Sequence, residues 1–167
     1  MTEEKMLELQ DRAAERCLDY KKQGFNCAES SIRAIAETLD IPITEEMKRC
    51  ATGFRGGGGG YMERCGIMEM GIVLLSFLYG RTDPKASTVD CSYLIRVLHE
   101  RFITGLGSYT CRLLLPYSMA HTAAGDCALV YDKGARILTR LFLEAPELLK
   151  NMPEEERNLK YIWSVKY

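Results

Sequence analysis

The cysteines are the residues of this sequence with the greatest capacity for chemistry. The chain has seven of them among 167 residues. Residues 1–6 are acidic and contain no apolar stretch of the kind found in an export signal, so we expect a cytoplasmic protein. Structural disulfides are rare in that reducing compartment, and thiol redox chemistry or metal binding explains such a set better. The seven are Cys17, Cys27, Cys50, Cys65, Cys91, Cys111 and Cys127.

Four of the cysteines fall where helices are predicted to start. Cys27, Cys111 and Cys127 each follow an Asn, Thr or Asp that can cap a helix. Cys65 follows a glycine run near the start of another predicted helix. Unpaired amides and the positive end of a helix dipole favour a thiolate, and such sites can lower a cysteine pKa from about 8.5 to below about 7.5. We therefore expect these four thiols to be reactive or metal-binding, and to be the catalytic residues of any thiol chemistry.

The other three cysteines have a simpler interpretation. Cys17, Cys50 and Cys91 lie within amphipathic stripes, where a small hydrophobic residue would serve as well, so we expect them to pack in the core. The sequence contains no Cys-x-x-Cys pair and no ferredoxin spacing, which excludes a thioredoxin-type motif and a zinc-ribbon knuckle. If the four cysteines at helix starts act together, the tertiary fold must bring them together.

The elements that would position these cysteines are helices. Helical periodicity dominates the chain and no strand pattern stands out, which predicts an all-α, single-domain bundle of about six or seven helices. Residues 62–79 are apolar on nearly every side and predict a central helix. A short helix beginning near Cys111 should stop before Pro116. We expect residues 1–144 to form the domain with the cysteine site, and residues 145–167 a tail docked on that domain or on a partner in a homodimer.

A run of five glycines, residues 56–60, precedes the predicted central helix. Glycine adopts either sign of φ, so this loop can hold tight turns or turn its amides toward a ligand. Gly56, Gly57 and Gly58 are accordingly candidate cofactor-binding residues, with an anion at the helix start as one candidate ligand. The alternative role is steric, because glycine lets two helices and the cysteine loop approach closely.

Glu69 and His121 are the polar residues that could assist the cysteines. Glu69 lies one helical turn beyond Cys65, and a buried carboxylate there must be paired or protonated. It could exchange a proton with Cys65 or pair with an arginine such as Arg55. His121 could replace one metal ligand, although a surface position or a hydrogen-bonded structural role is the commoner case. His99 has no evident partner in the sequence and is assigned a structural role.

At the four cysteines the sequence resembles the redox-active C-GCAxxG-C-C family, over residues 24–143. Residues 26–30 resemble the family's first cysteine segment, and residues 53–58 resemble its glycine-rich approach. Cys65-Gly66-Ile67-Met68-Glu69-Met70 stands at the named motif, with departures at Ile67 and Met70. Cys111 and Cys127 match the third and fourth cysteines. The resemblance implies a redox role for the four cysteines without specifying a reaction.

Three functions remain open at this point. The first is a thiol oxidoreductase that performs thiol–disulfide exchange or electron transfer with a redox partner protein or a small thiol; Cys111 and Cys127, close in sequence, are the preferred pair. The second is a metal-binding protein, in which Cys27, Cys65, Cys111 and Cys127 hold zinc or an iron–sulfur cluster. The third is a helical binding module without catalysis.

Charge and hydropathy narrow the classes of partner. The chain has 22 Lys and Arg against 23 Asp and Glu, a formal net charge of -1, and no basic run. The electrostatic pattern of a nucleic-acid-binding protein is therefore missing. The most apolar run, residues 65–78, is shorter than the roughly 20 residues that span a bilayer and contains Glu69, so we expect no membrane insertion.

Overall fold

A computed structural model describes residues 1–158 and confirms the all-α, single-domain fold. Within that range the chain forms eight α-helices, one short 3-10 helix and no strand, slightly more helices than expected. The helices are α1 Glu3–Lys22, α2 Cys27–Thr38, α3 Glu45–Cys50, the 3-10 helix Ala51–Phe54, α4 Gly66–Tyr79, α5 Val89–Leu106, α6 Cys111–His121, α7 Ala128–Lys150 and α8 Glu154–Arg157.

Local capping interactions fix the starts of the first helices. The Thr2 hydroxyl accepts a hydrogen bond from the Lys5 amide at the start of α1. At the start of α2 the Asn26 side chain accepts from the amides of Ala28 and Glu29, while the Glu29 carboxylate accepts from the Asn26 amide. This reciprocal capping box satisfies amides that would otherwise lack partners. The sequence alone predicts these helix starts.

The core is formed where α1, α2, α4, α5 and α7 meet. α7 packs against α1 and α5, and α4 packs against α2, α5 and α7. Gly71 of α4 makes the closest of these approaches possible, because a Cβ at this position would overlap Leu138 and lie 2.9 Å from Leu98 Cδ2. The largest completely buried side chains are Phe102, Ile32, Ile35, Ile67, Met68, Met70, Leu74, Leu75, Leu94, Leu98, Leu114 and Leu138.

Helix α4 begins four residues later than the predicted start at residue 62. Residues 62–65 lie outside any helix instead, with a positive φ at Met62, and Arg64 forms an antiparallel bridge with Thr110. The Cys65 amide bonds to the Tyr109 carbonyl far along the chain, whereas the Met62 and Glu63 amides bond back to the carbonyls of Gly56 and Gly57. A pairing over that sequence separation has no local signal in the hydropathy pattern.

Two helices continue through prolines that were expected to lie outside them. α6 runs past Pro116 to His121, and α7 runs past Pro146 to Lys150. Proline removes one helical hydrogen bond, but packing can outweigh that loss. Ser118 is completely buried and its hydroxyl donates to the Asp126 carbonyl at 2.9 Å, which holds α6 beyond its proline.

The predicted tail, residues 145–167, contributes to two helices. Its first residues, 145–150, complete α7, and α8 is held against α5 by an ion pair between Arg96 and Glu156. The aromatic end of the chain, residues 159–167, lies outside the described residues, so its docking stays a prediction. None of the helices within residues 1–158 combines the length and apolar character that spanning a membrane requires.

Candidate functional site

The four cysteines singled out from the sequence all lie at helix starts, as expected. Cys27 is the first residue of α2 and Cys111 is the first residue of α6. Cys65 and Cys127 occupy the capping positions immediately before α4 and α7. All four are free thiols. We refer to these four residues as the thiol cluster.

A short backbone ladder ties two members of the thiol cluster together. The Cys65 amide donates to the Tyr109 carbonyl at 2.9 Å, and the Cys111 amide donates to the Glu63 carbonyl at 2.6 Å. The Cys111 sulfur lies 3.8 Å from the Met62 sulfur. The segments before α4 and α6 therefore run side by side, and this pairing brings together two cysteines 46 positions apart in the sequence.

Cys27 lies directly against the start of α4. A Cβ placed on Gly66 would stand 2.7 Å from the Cys27 sulfur and 2.8 Å from the Phe54 carbonyl oxygen. Side chains do not approach that closely, so the glycine after Cys65 leaves the space that the Cys27 thiol occupies. The family-like Cys-Gly pair thus has a steric explanation in this fold.

Electrostatic interactions connect Cys27 to every other member of the thiol cluster. Burial raises the pKa of Cys65, and the charges of Cys27 and then Cys127 add to the increase. Burial and the charge of Cys27 also raise the pKa of Cys111. Burial, then Cys27 and Cys111, raise the pKa of Cys127 to about 12. The charge of Cys27 therefore acts on each of the other three cysteines.

The expectation that the helix starts ionise these thiols is wrong for Cys65, Cys111 and Cys127. The amides of Ile67 and Met68 do hydrogen-bond to Cys65 and act to lower its pKa, but burial has the larger effect. The free energy needed to remove a thiolate from water exceeds the stabilisation that two amide hydrogen bonds provide. The protonated thiol is therefore the favoured form of these three cysteines at neutral pH.

The cysteines assigned to packing have three different environments. Cys17 is completely buried in the core and Cys91 is 9% exposed, so both fit a packing role. Cys50 is exposed, which makes its assignment to the core wrong. Cys50 is the last residue of the short helix α3, in which no residue is buried. The apolar stripe seen in the sequence therefore does not pack into the core at this helix.

Two further residues border the thiol cluster and were not assigned to it from the sequence. Cys17 is close enough that the charge of Cys27 is the second cause, after burial, of its raised pKa. Tyr131 lies one turn beyond Cys127 in α7 and is 6% exposed. The spacing of four residues from Cys127 is a signal that could have identified Tyr131. Cys17 comes from a different helix, and its proximity has no local signal.

The glycine loop is folded onto itself. All five residues from 56 to 60 have positive φ, which other residues rarely adopt. The amides of Gly58, Gly59 and Gly60 donate to carbonyls at residues 53–55. Gly57 and Gly58 line a cavity of about 470 Å³ together with Tyr61, Arg64, Glu69 and Tyr109, and no cysteine borders it. Cofactor binding by Gly56, Gly57 and Gly58 stays a prediction.

The polar residues near the thiol cluster have partners of their own. Glu69 forms an ion pair with Arg64 at 3.6 Å, and the expected partner Arg55 is not involved. His121 is exposed, and its Nδ1 lies 2.7 Å from the Tyr117 carbonyl. His99 Nδ1 lies 2.8 Å from the Ile95 carbonyl, and its ring contacts Tyr109 edge-on. Both histidines thus have the structural roles expected for them.

The arrangement does not fit a metal centre. Among residues 1–158, no three side chains of His, Cys, Asp or Glu are grouped in a way that could hold a metal ion. A zinc or iron–sulfur site made by all four cysteines would need their sulfurs around one point. The chemistry considered below is therefore that of the thiols alone.

Comparison with known proteins connects this site to a family. The chain is 37% identical over 73 residues to an uncharacterised protein of Archaeoglobus fulgidus, a match that covers 44% of this chain and 48% of that protein. The aligned part thus spans about half the length of this relative. No solved structure matches the chain. The family model described as "Putative redox-active protein (C_GCAxxG_C_C)" matches residues 25–141 and includes every member of the thiol cluster. The chain therefore belongs to the C-GCAxxG-C-C family.

Proposed function

We propose that this protein performs thiol–disulfide exchange, with Cys27 as the attacking sulfur and another member of the thiol cluster as the resolving sulfur. The observation that carries the proposal is that the Cys27 sulfur lies against Gly66, the residue after Cys65, and that its charge acts on each of the other three cysteines. Cys27 is also partly exposed, so a substrate can reach it. The redox description of the family supports the same class of chemistry.

The choice of Cys27 differs from the pair expected from the sequence. Cys111 and Cys127 are also partly exposed, and the charge of Cys111 contributes to the raised pKa of Cys127. Burial raises the pKa of both thiols, however, which reduces the thiolate available for attack at neutral pH. In the proposal they are resolving thiols, which attack only after a mixed disulfide has formed beside them.

The reaction can be written with atoms and electrons in balance. The Cys27 thiolate attacks one sulfur of a small disulfide or a partner protein disulfide, which forms a mixed disulfide and releases one thiolate. The released thiolate takes a proton from solvent. A second thiol of the cluster then loses its proton and attacks the Cys27 sulfur, which releases the second substrate thiol. The protein dithiol is oxidised by two electrons and the substrate disulfide is reduced to two thiols.

The start of α2 leaves fewer free amides beside Cys27 than expected. The Asn26 side chain already accepts from the amides of Ala28 and Glu29, so these are not available to the sulfur. What remains is the positive end of the helix dipole, which favours an anion in the first turn.

A redox titration of the full chain tests the proposal. The protein is equilibrated anaerobically with mixtures of oxidised and reduced dithiothreitol, and free thiols are counted after acid quenching. We expect a cooperative loss of two of the seven thiols, abolished by Cys27→Ser and retained in the exposed control Cys50→Ser. A constant count of seven at every ratio would contradict the proposal, as would an undiminished loss in Cys27→Ser.

A further inference from the structure

The cavity beside the glycine loop has no part in the thiol chemistry described so far. Its volume of about 470 Å³ lies within the range of roughly 300–1,000 Å³ that small-molecule sites usually have. Gly58 lines it, and a Cβ at this position would meet nothing within 4 Å. Tyr61 also lines it and is 79% exposed, so a ligand can enter from solvent on that side.

The cavity shares a wall with the backbone ladder that joins Cys65 and Cys111. Arg64 and Thr110, which form the antiparallel bridge of that ladder, both line the cavity. Tyr109 lines it as well, and its carbonyl accepts from the Cys65 amide at 2.9 Å. Two of the lining residues therefore directly precede members of the thiol cluster in the chain.

Phe54 connects the cavity to Cys27. Its carbonyl oxygen and the Cys27 sulfur lie 2.8 Å and 2.7 Å from the same point, the position of a Cβ on Gly66. Phe54 is also a lining residue of the cavity. The partly exposed Cys27 sulfur is thus next to the cavity wall, which brings a disulfide bound there close to the proposed nucleophile.

Two charged side chains in the cavity favour a ligand with one negative and one positive end. Arg64 and Glu69 both line it, and both side chains are partly exposed. The Arg64 Nη1 and Glu69 Oε1 atoms are 3.6 Å apart, which is longer than a normal hydrogen bond. The guanidinium therefore keeps donors, and the carboxylate keeps acceptors, that a ligand can use.

The balance of charge argues against a polyanion such as a nucleotide. The third charged lining residue, Glu63, is hydrogen-bonded to Arg112 at 3.0 Å. Two carboxylates and a single guanidinium thus line the cavity, a potential that does not attract several negative charges. The carboxylate and ammonium groups of an amino acid match Arg64 and Glu69 instead, because both would form charge-assisted hydrogen bonds.

We propose that this cavity binds an amino-acid disulfide, with its carboxylate on Arg64 and its ammonium on Glu69, and that this molecule is the substrate of Cys27. The inference rests on the proposed function for the fate of the disulfide and adds the class of substrate. Arg64 and Glu69 hold the end of the molecule that does not react. The disulfide is reduced to two amino-acid thiols while two thiols of the cluster are oxidised to a disulfide.

Calorimetry with a ligand that cannot react tests the site. Cystathionine has both amino-acid ends of cystine but a thioether in place of the disulfide. We expect saturable binding to the reduced chain, weakened about tenfold in Arg64→Gln by the loss of a hydrogen bond to a charged group. Arg49→Gln removes an exposed arginine that does not line the cavity and should bind like the wild type. No saturable binding, or equal affinity of Arg64→Gln and the wild type, would overturn the inference.

An acetylated ligand tests the role of Glu69. Diacetylcystathionine lacks the positive charges of cystathionine and should bind the wild type about tenfold more weakly. In Glu69→Gln the two ligands should bind almost equally, because the partner of the ammonium is already gone. If acetylation weakens binding by the same factor in both proteins, Glu69 does not hold the ammonium and the inference fails.

The rate of thiol oxidation tests whether the bound molecule is the substrate. Arg64→Gln should slow oxidation by cystine about tenfold and leave oxidation by the uncharged hydroxyethyl disulfide unchanged. Equal slowing with both would reject the inference, because Arg64 would then act on the thiol cluster itself. Calorimetry involves no exchange and is independent of the dithiothreitol titration. A normal titration without saturable cystathionine binding rejects the substrate class alone, whereas a failed titration with saturable binding rejects the proposed exchange.

Discussion

At the scale of single residues, burial and helix-start electrostatics act on the cysteines in opposite directions. Cys65 has the most favourable local setting, with two amides directed at its sulfur, and yet its pKa is raised because its side chain is enclosed. A thiol can be enclosed at little cost while it is protonated, since it then behaves as a small apolar group. Cys65, Cys111 and Cys127 are therefore held as protonated thiols at neutral pH.

The raised pKa of Cys127 predicts a loss of stability in alkali. In the folded chain its pKa is about 12, against an ordinary value of 9.0, so folding favours the protonated form. The associated stability is complete below about pH 9 and is lost as the pH rises toward 12. Each such thiol should lower the free energy of unfolding by up to about 1.4 kcal/mol per pH unit in that range.

Urea unfolding with a reductant, at pH values from 8 to 11, measures this effect. The Cys127→Ser variant should lose stability less steeply with pH than the wild type, because one titrating thiol is gone. Cys50→Ser removes an exposed thiol and should match the wild-type slope. Parallel curves for wild type and Cys127→Ser would show that burial does not hold the Cys127 proton.

At the scale of elements, local signals predicted much of the fold and non-local contacts decided the rest. The caps at Thr2 and Asn26 depend only on three or four neighbouring residues, and both were predicted correctly. The predicted start of α4 was wrong because residues 62–65 pair with a segment far along the chain. The predicted end of α6 before Pro116 was wrong because tertiary contacts at Ser118 outweigh the local effect of that proline.

Gly66 lies where the start of α4 packs closely against Cys27 of α2. Gly66→Ala would place a Cβ 2.7 Å from the Cys27 sulfur and 2.8 Å from a backbone oxygen, so either α4 or Cys27 must move. Overpacking of this kind costs about 1–3 kcal/mol. Gly53→Ala is a matched control, because a Cβ there meets nothing within 4 Å.

Urea unfolding of the two alanine variants measures the difference between these positions. We expect a clear loss of stability in Gly66→Ala and only a small change in Gly53→Ala. Because a displaced Cys27 sulfur should also lose its neighbours, the two-thiol loss in dithiothreitol should be impaired in Gly66→Ala. Equal stability of both variants would mean that the space beside Cys27 is not closely packed.

At the scale of the whole molecule, the thiol cluster depends on the complete fold. Its cysteines come from the starts of four helices, and ion pairs such as Arg101 with Glu144 and Arg140 with Glu3 join the helices behind them. The resemblance to a family identified which cysteines to examine. It could not indicate that Cys17 lies beside them, because proximity between helices depends on packing and not on spacing along the chain.

The most direct measurement of the central claim is a disulfide map of the oxidised chain. The protein is oxidised with dithiothreitol disulfide, remaining thiols are alkylated in acid-quenched samples, and linked peptides are identified by mass spectrometry. We predict that Cys27 is bonded to Cys65, Cys111 or Cys127, while Cys50 and Cys91 remain free. If Cys27 stays reduced under conditions that oxidise other cysteines, or if the bonds join Cys50 or Cys91 instead, the account of a Cys27-centred thiol cluster is wrong.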